Sequence, residues 1–162
     1  MNRAATTNPN PLAQLAASIP ANVATAISIA ARLAGAAAAL FYAYDQDRLF
    51  PTEHFPRTWV FCVVTAVVAV ASIAALARGV VKPGLATWLG AFGGGILVFA
   101  GANLAHKGPG VVVLVAGIVA WLSFAAAASQ RREDPGAIVS GLFMGSLCSF
   151  LLVGICVLAV PN

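Results

Sequence analysis

Charge is what this 162-residue sequence has least of: 9% of its residues are Asp, Glu, Lys or Arg, while 60% are hydrophobic. A soluble domain typically carries roughly 25% charged residues, so an ordinary water-soluble fold is excluded. From Thr58 onward the only charged residues are Arg78, Lys82, Lys107, Arg131, Arg132, Glu133 and Asp134, in three short clusters. The apolar runs between them are about 20 residues long, enough for a helix rising about 1.5 Å per residue to cross a hydrocarbon core about 30 Å thick.

Other scarcities narrow the chemistry. The five acids are Asp45, Asp47, Glu53, Glu133 and Asp134, all between the apolar runs. Proton- or cation-coupled transport normally places a carboxylate inside a span, so that class is disfavoured. Cys62, Cys148 and Cys156 lie inside apolar runs with no CxxC or Cys/His spacing, which reads as packing rather than zinc or redox chemistry. The two histidines, His54 and His106, fall at expected span ends, a poor arrangement for haem ligation. No cofactor or metal is expected. The net charge of +4 is small and its basic residues are dispersed, so no Lys/Arg stripe is available to follow a nucleic-acid backbone.

What is present is a repeated alternation of apolar runs with Pro, Gly and charge. It predicts an all-α polytopic membrane protein, a five-transmembrane-helix bundle with spans near residues 21–44, 58–77, 85–105, 110–129 and 137–160 in one domain, 21–162. Residues 1–20 read as a polar cytoplasmic extension. The long apolar stretch that follows starts late behind a single basic residue, so it is expected to be a retained span and not a cleaved leader. Arg3, Arg78, Lys82, Arg131 and Arg132 fall on one side, and Arg48, Arg57 and Lys107 on the other. Because the Lys/Arg-rich side stays inside, the N-terminus is expected in the cytoplasm of a bacterial-type plasma (inner) membrane.

One charge interrupts a span. Arg32 sits in the middle of the first run, where its insertion cost of about 2.5–3.5 kcal/mol offsets most of what the surrounding apolar residues contribute. At about 100° per residue, Thr25, Ser28, Arg32, Gly35, Ala36 and Ala39 share one helix face, opposite Val23, Ile27, Ala30, Ala34, Ala37 and Phe41. The first face is expected to meet protein, making Arg32, Ser28 and Thr25 a candidate intramembrane polar site or partner contact. No span supplies a carboxylate, so the guanidinium must find carbonyls, hydroxyls such as Ser28, Thr65 or Ser72, the Asn103 amide, water, a lipid, or an acceptor on another molecule.

Two further features stand out. Gly90, Gly94 and Gly101 in the third span, and Gly141 and Gly145 in the fifth, form small-residue faces of the kind that let membrane helices approach closely. The run Gly93-Gly94-Gly95 thins the third span further. The loop from Asp45 to Arg57 carries Asp45, Asp47, Glu53 and His54, a candidate outer docking surface whose spacing matches no metal loop. The functional expectation is a non-catalytic accessory or structural subunit of a larger membrane complex, with the bilayer and other membrane subunits as partners. A small transporter or channel with an anion-interacting Arg32 is the alternative, and a membrane-embedded enzyme using the 45–57 loop the third class.

Overall fold

The computed structural model describes residues 18–49, 55–78, 83–106 and 108–159. They form five helices: α1 (Ala21–Leu49), α2 (Phe55–Arg78), α3 (Pro83–Leu104), α4 (Gly108–Gln130) and α5 (Pro135–Ala159). All five are long and apolar enough to cross a membrane. The shortest, α3, has 22 residues, which is about 33 Å of helix. Proline opens four of them: Pro83 and Pro135 are first residues of their helices, and Pro56 and Pro109 are the second of α2 and α4. At those positions the missing N–H costs no hydrogen bond. The first helix runs past the expected end of its span, so Asp45 to Leu49 continue α1 and are not loop.

The turn between α4 and α5 is closed by hydrogen bonds at both helix ends. Glu133 N donates to Ala128 O (3.1 Å) and Arg132 N to Ser129 O (3.1 Å), while Arg132 adopts φ 56°; this is the Schellman arrangement that satisfies the last carbonyls of a helix. Two residues on, Asp134 Oδ1 accepts from Gly136 N (2.8 Å), capping the start of α5.

Helices α1 to α4 form a closed ring in which each packs on the next and α4 returns to α1, leaving α1 and α3 on one diagonal and α2 and α4 on the other. Successive helices run antiparallel. Helix α5 lies outside the ring, parallel to α3 and packed chiefly on it. On α1, Ser28, Arg32, Gly35, Ala36 and Ala39 are buried, while Val23, Ile27, Ala30, Ala34, Ala37 and Phe41 are exposed.

Helix α3 can touch every other helix because glycines thin it on several sides. At about 100° per residue, successive positions point in different directions, and Gly93, Gly94 and Gly95 meet three different neighbours. A Cβ on Gly93 would overlap the Ser72 side chain of α2, one on Gly94 would lie 3.1 Å from Trp121 Cβ of α4, and one on Gly95 would lie 2.6 Å from Leu142 O of α5. The glycine run therefore sits inside one continuous helix, with no break or unwinding. Gly90 and Gly101 face Phe124 and Leu114 of α4, and Gly141 and Gly145 face Trp88, Phe92 and Ile96 of α3.

Gly95→Ala should push α5 off α3 and lower the unfolding free energy by about 1–3 kcal/mol, as overpacking does. Gly154→Ala, on a stretch of α5 with nothing within 4 Å of the new methyl, should leave stability unchanged or raise it slightly. Unfolding midpoints of the two variants in mixed detergent micelles make the comparison.

Candidate functional site

Among the described residues the interior of the ring holds one charge, and the helices are built around it. Arg32 is fully buried, with no exposed surface. Each nitrogen of its guanidinium donates to an acceptor of the same chain: Nε to Ser28 Oγ at 3.4 Å, Nη1 to Ser72 Oγ, and Nη2 to Gly90 O at 2.6 Å. The fourth wall is aromatic, with the Phe124 ring centroid 5.5 Å from Cζ, within cation–π range. Thus α1, α2 and α3 supply the acceptors and α4 the ring.

A guanidinium has donors only, so each hydroxyl beside it must present a lone pair. The backbone arranges this. Ser28 spends its proton on Ala120 O of α4 at 2.7 Å, and Ser72 spends its own on Ala69 O one turn back at 2.6 Å. Charge-assisted bonds of this kind are roughly twice as strong as neutral ones. None of the acceptors is a carboxylate; Asp45, the first acid along α1, lies thirteen residues on, about 20 Å along the axis. Space for the head group comes from missing side chains: a Cβ on Gly93 would lie 3.0 Å from Arg32 Nη1, and one on Gly90 would lie 2.5 Å from the Phe124 ring.

Of the acceptors the sequence offers, Ser28 and Ser72 reach Arg32, and Thr65 and Asn103 do not. Thr65 is fully buried and its hydroxyl makes no hydrogen bond, whereas the Asn103 amide turns back to Phe99 O at 2.9 Å. Thr25 stands nearer the start of α1. It donates to Ala21 O at 2.7 Å and accepts from Arg131 Nη2 at 3.1 Å.

Thr25 leads to a second feature, an open cavity of about 260 Å³ at the end of the ring where α1 and α3 begin. Its lining includes Thr25, Ser28, Thr87, Phe124, Arg131 and Glu133. Thr87 donates to Glu133 Oε2. Phe124 and Ser28 both line the cavity and both contact Arg32, so a ring and a hydroxyl lie between the vestibule and the buried cation. Sequence reading did not single out Thr87, Phe124 or Glu133 for this site. Each is unremarkable in its own helix or turn, and only the crossing of helices brings it there.

At the other end of the ring Tyr42 Oη lies 3.0 Å from His106 Nε2, with the rings edge to face. Asp45 is half-buried in the last turns of α1. Asp47 belongs to the same helix, but its side chain lies outside the described residues, as do Glu53 and His54 entirely. Cys62, Cys148 and Cys156 are free thiols. Among the described residues no three His, Cys, Asp or Glu side chains converge as metal ligands would. Compared with protein-family models, curated proteins and solved structures, the chain matches none.

Ser72→Ala strands a charged donor in the interior and should cost about 1–3 kcal/mol of stability. Thr65→Val replaces a hydroxyl that has no partner and should be neutral or stabilising. Parallel unfolding titrations of both variants test whether the arginine, and not burial of hydroxyls in general, sets the cost.

Proposed function

We propose that this chain is a multi-pass integral membrane protein of a bacterial-type inner membrane, with its N-terminus in the cytoplasm, and that it works as a non-catalytic accessory or structural subunit of a larger membrane complex. The observation that carries this reading is the use to which Arg32 is put. Its three nitrogens bind three helices of its own chain, which is the work of a scaffold. The outward surface supports a membrane setting: Val67, Val115, Leu122, Phe143 and Phe150 are among many exposed apolar side chains, and monomeric soluble proteins do not expose so continuous an apolar surface. Helix α5, attached chiefly through α3, carries Val139, Phe143, Phe150, Ile155 and Leu158 outward, a face open to lipid or to a helix of another subunit. The excess of Arg and Lys at 3, 78, 82, 131 and 132 supports the orientation.

One observation favours the transporter or channel as a second reading: the vestibule ends at Phe124 and Ser28, directly before a buried cation. In that reading displacement of the ring would open Arg32 to an anion.

Purification at native expression separates the two. The subunit reading expects companions in fixed stoichiometry; a lone protein that passes anions across liposomes, with flux lost in Arg32→Gln, would replace it by the second. Orientation has its own test with a membrane-impermeant thiol reagent on cells expressing the protein with Cys62, Cys148 and Cys156 replaced by Ser. Lys107→Cys should be labelled in intact cells and Ser129→Cys only after permeabilisation, and the reverse pattern would invert the topology.

A further inference from the structure

Among the described residues the vestibule holds one basic and one acidic side chain, and it holds them apart. Arg131 and Glu133 both belong to the turn between α4 and α5, where the bonds from Arg132 N and Glu133 N to the end of α4 fix the backbone. From that turn Arg131 reaches Thr25 on α1, while Glu133 reaches Thr87 on α3. Because α1 and α3 stand on a diagonal of the ring, the two threonines hold a guanidinium and a carboxylate on opposite sides of one cavity. Left to themselves, two such groups two residues apart would pair. Each is instead held by a neutral hydroxyl, and among the described residues neither is paired with an opposite charge.

We propose that this vestibule binds a small zwitterion bearing an anionic oxygen pair and a primary ammonium group, the anion on Arg131 and the ammonium on Glu133. Guanidinium presents paired donors in a plane and matches a carboxylate or phosphate, while the carboxylate accepts from an ammonium. Phe124 and Leu76 supply an apolar wall between them. The cavity volume of about 260 Å³ falls below the usual range for drug-sized ligands, about 300–1,000 Å³, and suits a solute with a short aliphatic part. The same chemistry occurs in a free α-amino acid and in the headgroup of an aminophospholipid.

The test uses the full chain purified in detergent, with thermal unfolding as the readout. The additives are L-alanine, propionate, ethylamine, dioleoylphosphatidylethanolamine and dioleoylphosphatidylcholine. The expected result is stabilisation by L-alanine or by the ethanolamine lipid, with no response to propionate, ethylamine or the choline lipid, whose quaternary nitrogen has no proton to donate. A response to alanine alone identifies a free solute, and a response to the ethanolamine lipid alone identifies a headgroup. Arg131→Gln and Glu133→Gln should each weaken apparent affinity at least about tenfold, the loss of a hydrogen bond to a charged group. In Glu133→Gln the side-chain amide oxygen can still accept from Thr87, so the unliganded melting temperature of that variant should stay near that of the parent. The proposal is overturned if neither zwitterion stabilises the protein, if propionate or ethylamine alone does as well, or if both variants respond as the parent does. The subunit reading stands or falls separately, on co-purification.

Discussion

A guanidinium shut inside a helix bundle must have its donors met, and here the surrounding chain is arranged to meet them. Leaving one such group unpaired in an apolar interior costs several kcal/mol, and neutral acceptors lower that cost without adding a second buried charge. The two serines beside Arg32 are oriented by their own bonds to backbone carbonyls, so their lone pairs face the cation before it arrives. The carbonyl of Gly90 completes the set, and the missing side chain of Gly93, nearly one turn on, leaves room for the guanidinium beside it. The interaction thus ties α1 to α2 and α3, with Phe124 joining α4 through its ring.

Close approach of the helices follows a related logic. In lipid there is little hydrophobic drive between apolar helices, and contact depends on backbones coming near enough for dispersion. The glycines of α3 serve several neighbours at once, which makes it the helix that all others touch. Helix α5 answers with Gly141 and Gly145 on the single face it buries there. Between these contacts and Arg32, the ring has both a polar fastening at its centre and close seams at its perimeter.

Much of the fold was legible in the sequence because apolar run length and helix period are strong signals. The five helices begin and end within about a turn of the expected spans, except that α1 continues through Asp45 to Leu49. The face bearing Ser28, Arg32 and Gly35 was readable from spacing alone and is the buried one. What could not be read was which acceptor meets the arginine. Ser72 and Thr65 are both hydroxyls on the buried face of α2, seven residues and so about 10 Å apart along its axis, and the depth at which α2 packs against α1 decides between them. The same holds for the glycine run, whose residues at 93, 94 and 95 look like one feature in sequence and serve three different neighbours in space. The vestibule was illegible for a further reason: Thr25 and Glu133 are far apart in the chain, and only closure of α4 onto α1 brings that turn over the end of the bundle.

The central claim, that Arg32 is enclosed and bound by neutral acceptors of its own chain, is most directly tested by nitrogen-15 NMR of guanidinium-labelled protein in bilayers transferred to deuterated water. One arginine signal, absent from Arg32→Met, should retain its protons long after those of the other arginines have exchanged. Exchange of that signal as fast as the rest would place Arg32 in contact with water and contradict the claim.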